Sequence, residues 1–113
     1  MMGQNPERQS EAAILETITR TIVEKFHPRR IVLFGSRARG EGTEDSDYDV
    51  FVEMESDLSL PLRAIEVDRA LDFRTWPLDV VVYTPEEVAR HLTDRGSLIP
   101  TIEAEGRLLY VRP

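Results

Sequence analysis

Two aspartates one residue apart, Asp47 and Asp49, head an apolar run, and a third, Asp79, is the one charged residue inside another. Alternate side chains of an extended chain share a side, so Asp47 and Asp49 project together, with α-carbons about 6.5–7 Å apart. Carboxylates this close repel each other, and the start of a strand is poor ground for Asp on propensity. A cation between them turns the cost into a function. Hard oxygen donors with no thiol or imidazole nearby suit Mg²⁺ or Mn²⁺. Upstream, Gly35-Ser36 closes a further apolar run. Glycine allows close backbone approach there, and successive amides with a serine hydroxyl form an anion nest. The segment lacks the Gly-Lys-Ser/Thr of a Walker A loop.

Each piece also has an ordinary reading. An isolated Asp-x-Asp is commonly a pair of solvated turn residues, Gly-Ser after a strand is a common turn, and Asp79 fits an edge position reaching water. The combination is more specific. Asp79 alternates with Val81 and Tyr83, whereas Leu78, Val80 and Val82 face the other way. If the strands bearing Asp49 and Asp79 are neighbours, three carboxylates meet beside one phosphate nest, as a metal-bound triphosphate requires. Arg37 and Arg39 are the nearest candidates for phosphate contact, because a guanidinium fork matches phosphate oxygens; solubilising or partner-contacting roles suit them equally. Glu41, Glu44, Asp45, Glu53 and Glu55 are expected to form a solvated acidic rim, Tyr48 to lie in the core, and His27 and His91 to sit at the surface or at helix ends. Phe73 and Trp76 fit either a position under the sheet or an exposed patch.

The elements that must position these groups follow from periodicity. Asn5-Pro6-Glu7 reads as a helix start, followed by Ile14 or Leu15, Ile18, Ile22 and Phe26 as one apolar stripe, with Pro28 just beyond. Strands are predicted over 30–34, 47–53 and 78–83, and a possible edge strand over 108–111. The glycine-rich loop 35–46 leaves room for one helical turn, and helices are predicted over 61–71 and 97–105. Thr84-Pro85-Glu86-Glu87 is a capping box with proline at the first helical position, which opens a further helix. The order is that of a small α/β (α+β) sandwich: a mixed β-sheet with helices packed on one face. The 113 residues make one domain, 1–113, with an N-terminal helix in 1–28 and the motif-bearing sheet and helices in 29–113.

Composition narrows the function. The chain has 14 Lys and Arg against 21 Asp and Glu, a net charge of -7, which disfavours direct binding of nucleic acid. It has no cysteine and only two histidines, far apart, which removes thiol catalysis and Cys- or His-rich metal sites. Met1 to Pro6 lacks a cationic start and an apolar run, and the apolar runs are strand-sized, so a cytoplasmic protein without a membrane span is expected.

Gly35-Ser36, Asp47-x-Asp49 and a later Asp79 resemble the DNA polymerase β-type nucleotidyltransferase superfamily. The run from Leu33 to Gly40, the run from Asp45 to Val50, the segment Leu78 to Glu87 and the closing Glu105 to Tyr110 are similar to its minimal nucleotidyltransferase (MNT) branch. The resemblance covers most of the chain from Arg29 onward. It implies the polymerase β-type fold and Asp47, Asp49 and Asp79 as catalytic ligands of two Mg²⁺ ions. It also implies Gly35 and Ser36 holding the β- and γ-phosphates of ATP. In such systems an all-helical HEPN protein is the partner, and AMP passes to a tyrosine of that toxin. A non-catalytic antitoxin that neutralises its partner by binding alone is the alternative. Transfer to a small molecule such as an aminoglycoside is the weaker reading, since a chain of this length is too short to enclose one.

Overall fold

The computed structural model describes residues 9–113. The first helix, α1 (Glu11–Phe26), is capped by Ser10, whose hydroxyl accepts from the Ala13 amide at 3.1 Å, and Glu11 lies against the positive end of the helix. The start expected at Asn5-Pro6 lies outside the described residues; within them the helix begins at Glu11. His27 ends α1 in the left-handed conformation (φ 50°), the helix-end role expected of it.

Four strands follow: β1 (Arg30–Phe34), β2 (Tyr48–Glu53), β3 (Leu78–Tyr83) and β4 (Arg107–Val111), in the sheet order β3-β2-β1-β4. β1 runs antiparallel to both β2 and β4, whereas β2 and β3 are parallel. A parallel pair needs a crossover, which α3 (Leu60–Ala70) supplies. The single turn α2 (Gly35–Ala38) follows β1, and α4 (Pro85–His91) and α5 (Ile99–Glu105) lie between β3 and β4. The Thr84 capping box forms as expected, with Thr84 Oγ1 accepting from the Glu87 amide and Glu87 accepting from the Thr84 amide. Among the described residues no helix is long and apolar enough to cross a membrane.

Strand alternation divides the core between two faces. Ile31, Leu33, Tyr48, Val50, Val52, Val80 and Val82 pack against Ile14, Ile18 and Ile22 of α1 and Val67 and Leu71 at α3. This is the helical layer the sequence predicts. The second face is also covered, but only in part: Val32 and Phe51 pack against Val88 of α4 and Ile99 and Ile102 of α5. Asp49 and Asp79 belong to this face by alternation, and Asp79 stays exposed.

Two partly buried ion-pair clusters brace the faces. Arg63, on the buried side of α3, donates to Glu87 at 2.6 Å, to the Leu58 carbonyl and to Val82 O. Its burial turns Leu62 and Ile65 outward, leaving both about half-exposed. Arg30 joins Glu53 at 2.6 Å and Glu103 of α5 at 2.5 Å, above the Phe51 ring. Glu53 is therefore buried and does not join the expected acidic rim. It ends β2, four residues from Asp49, where a cation on the neighbouring strand is in reach.

The two braces predict an acid-labile fold. Hydrogen bonding to Arg63 holds the Glu87 carboxyl below its ordinary value, and bonding to Arg30 does the same for Glu103. Carboxyls lowered in the folded state contribute stability above their unfolded value, about 4.3, and lose it as pH falls through the folded value. Urea unfolding is expected to show stability level above pH 5 and declining below about 4.3. Glu87→Ala, which strands Arg63 in a largely buried position, is expected to cost about 3 kcal/mol at neutral pH and to flatten the acid decline.

Candidate active site

β1 ends at Phe34, whose register partner is Asp49, so the turn at Gly35 meets the start of β2. The parallel register of β2 and β3 then sets Asp49 opposite Asp79. Adjacent strands lie about 4.8 Å apart, and residues paired in register show their side chains on the same face. Asp47 lies one residue before β2 and is exposed; Asp49 is half-buried. Burial first, then the charges of Asp79 and Asp47, push the Asp49 carboxyl above its ordinary value, with Arg39 opposing them. The three acids thus share one electrostatic site.

Gly35 is built into it. Its φ is +75°, and a Cβ added there would overlap Asp49 Oδ2 and lie 3.1 Å from its Cγ. Only glycine combines this left-handed backbone with so close an approach. α2 begins at Gly35, and Phe34 at its N-cap provides no side-chain cap, so the first-turn amides of Gly35 and Ser36 lie at an uncapped helix start beside the acids. Among the described residues no three His, Cys, Asp or Glu are arranged as a ready-made metal cage. The donor chemistry nonetheless fits a hard divalent cation: oxygen ligands only, with mutual repulsion that a cation would relieve.

The two arginines divide. Arg39 is partly exposed, lies near enough to Asp49 to act on its charge, and is held by Glu41 at 3.0 Å and Glu105 at 3.5 Å. Arg37 is buried. Its guanidinium donates to Ser46 O at 3.0 Å, Glu44 O at 3.3 Å and Glu11 at 3.0 Å, and lies 3.9 Å from the Tyr48 ring centroid. Those contacts occupy the fork, so Arg37 is placed for the loop rather than for phosphate. The sequence could not separate the two, since the partners Glu11 and Glu105 lie 26 and 66 residues away. Glu41, Glu44, Asp45 and Glu55 are exposed, as a rim should be. Tyr48 is buried, as expected, with Trp76 packed edge-on at 5.7 Å and donating to Gln9, while Phe73 points to solvent.

The sequence pattern that defines the nucleotidyltransferase domain matches residues 15–112, so the chain belongs to that family. It is 42% identical over 60 residues to the protein adenylyltransferase MntA of Thermococcus cleftensis, a match covering 53% of this chain and 60% of that protein. The aligned segment thus spans about 60% of the relative's own length. A crystal structure from Sulfolobus solfataricus assigned to the nucleotidyltransferases superposes with a TM-score of 0.63 at 21% identity, over 99% of this chain and 94% of that one. A toxin–antitoxin structure with AMP-PNP superposes with a TM-score of 0.59 at 20% identity, over 87% of this chain and 73% of that one. At these identities the structural likeness shows the fold.

Gly35 and Gly40 provide a matched test of the close approach. Both have left-handed φ, +75° and +76°, but a Cβ at Gly40 would meet nothing within 4 Å. Gly40→Ala is expected to cost about 1 kcal/mol, the backbone penalty alone. Gly35→Ala is expected to cost about 1–3 kcal/mol more, because Asp49 must be displaced. Equal urea midpoints for the two variants would show that Gly35 and Asp49 are not in contact.

Proposed function

We propose that this chain is a Mg²⁺-dependent nucleotidyltransferase that moves AMP from ATP to a tyrosine hydroxyl of a HEPN-type partner toxin, and so acts as its antitoxin. The observation that carries the reading is the pairing of Asp49 with Asp79 in parallel register, against the glycine turn that opens α2. A protein that only bound its partner would have no physical need for clustered carboxylates against a backbone nest. The family membership, the adenylyltransferase relative and the nucleotide analogue in a like-folded toxin–antitoxin structure support the same reading.

In this reading Asp47, Asp49 and Asp79 would hold the divalent cations. When bound, Mg²⁺ would supply charge neutralisation for the triphosphate and the departing pyrophosphate. The amides of Gly35 and Ser36 and the Ser36 hydroxyl bind the β- and γ-phosphates. Arg39, the more exposed arginine, is the side chain able to exchange its carboxylate partners for a phosphate oxygen. The acceptor oxygen attacks the α-phosphorus as the bond to pyrophosphate breaks, and its proton passes to the Asp79 carboxylate. A groove of about 430 Å³ beside α3, lined by Ile65, Arg69 and Asp79 among others, reaches Asp79 at the β3 edge, where an acceptor could approach. Positioning and charge neutralisation carry the rate.

Co-expression with a HEPN protein encoded beside it is expected to leave that partner heavier by one or more AMP units in intact-mass spectrometry. Asp79→Asn is expected to abolish the added mass while the complex still co-purifies. If an Asp47→Asn, Asp49→Asn double variant protects cells as well as the wild type, neutralisation by binding alone is the correct reading.

A further inference from the structure

We propose that Arg37 is a positioning residue that ties the phosphate-side turn to the carboxylate loop and so sets the place of Asp47; this rests on the metal-dependent reading given above. Arg37 follows Gly35-Ser36 directly, in the single turn α2. Its Nε donates to Ser46 O, the carbonyl immediately before Asp47, and its guanidinium covers the ring of Tyr48, the residue immediately after. Asp47 is therefore exposed on a loop yet flanked on both sides by residues that one buried guanidinium holds.

The rest of the loop is shaped around the same side chain. A second bond reaches Glu44 O at 3.3 Å, and a Cβ at Gly42 would come within 2.7 Å of Arg37 Cγ, so the loop closes over the arginine stem. Thr43 and Ser46 then close a turn, the Thr43 amide donating to Ser46 Oγ at 2.8 Å and the Ser46 amide to Thr43 O at 3.1 Å. Glu11, in the first turn of α1, anchors the other end of the fork at 3.0 Å. One planar group thus joins α1, α2 and the loop that delivers Asp47. A lysine has neither the several fixed donors nor the plane for the Tyr48 ring, so Arg37→Lys keeps the charge and loses the geometry.

Two readouts on the purified, metal-free protein and on Mn²⁺ binding test the idea. Arg37→Lys is compared with Arg30→Lys, which weakens the distant brace to Glu53 and Glu103. In the metal-free protein, Arg37→Lys is expected to speed hydrogen exchange at the amides of 43–48 at least tenfold, with β1 amides unchanged. The same variant is expected to weaken Mn²⁺ binding, followed by the free-ion electron paramagnetic resonance signal, at least fivefold, with Arg30→Lys at the wild-type value. Unchanged exchange at 43–48 would overturn the proposal. So would faster exchange with unchanged Mn²⁺ affinity, or an equal loss of affinity in Arg30→Lys. A wild-type protein that binds no Mn²⁺, with or without ATP, would instead overturn the parent reading and this one with it.

Discussion

Repulsion between carboxylates brought into register is the constraint around which this small sheet is arranged. Asp49 and Asp79 face each other across a parallel strand pair, and Asp47 adds its charge from the preceding loop. Nothing in the hydrophobic core requires that placement. The even-numbered residues of β2 and β3 pack on the α1 and α3 face and Phe51 packs under α4 and α5, so the odd-numbered positions at the strand heads are free to carry charge. The cost is raised further because Gly35 brings backbone against the Asp49 carboxylate, taking away solvent that would screen it. Arg39 offsets part of this charge from a partly exposed position, shared with Glu41 and Glu105.

The uneven covering of the sheet follows the same division. α1 and α3 close one face over the aliphatic side chains of β1, β2 and β3. On the other face α4 and α5 cover Val32 and Phe51 but stop short of the strand ends that bear the acids. The arginines of the two braces lie on the closed portions: Arg63, buried beneath Glu87, and the partly buried Arg30 between Glu53 and Glu103. Each has a carboxylate partner at close range, as burial of charge demands. The open end holds Asp47, Asp49 and Asp79 with Arg39 as the cation that acts on Asp49.

Much of this was legible before any coordinates. Strand alternation placed Asp49 and Asp79 opposite Tyr48, Val50, Val80 and Val82; that their strands are neighbours was only a condition in the sequence, and the parallel register meets it. The capping box at Thr84, the stripe through Ile14, Ile18 and Ile22, and the turn after Phe34 are local signals, set by neighbouring residues, and the structure has each of them. The helix start expected at Asn5-Pro6 lies outside the described residues; within them Ser10 holds the cap. Glu53 was read as rim because alternation gives no hint of Arg30 across the ladder and Glu103 beyond it. The second helical layer was missed for a similar reason: α4 and α5 are short, and their few apolar residues reveal little about which face they reach.

Arg37 and Arg39 show most clearly where sequence reading stops. They are the same residue type, two positions apart, after the same glycine turn, and an argument from chemistry treats them alike. A one-turn helix separates positions 37 and 39 by about 200° around its axis, so one side chain points under the loop and the other out toward the acids. Burial then decides what each fork does. A guanidinium enclosed by two carbonyls, a carboxylate and an aromatic ring has its donors satisfied, and drawing it out to meet a phosphate would leave those acceptors without it. A guanidinium shared between two partly exposed glutamates exchanges partners at little cost, since surface pairs are worth about 0–1 kcal/mol. The difference between a scaffold arginine and a ligand-facing one is therefore the difference in what each would lose by moving.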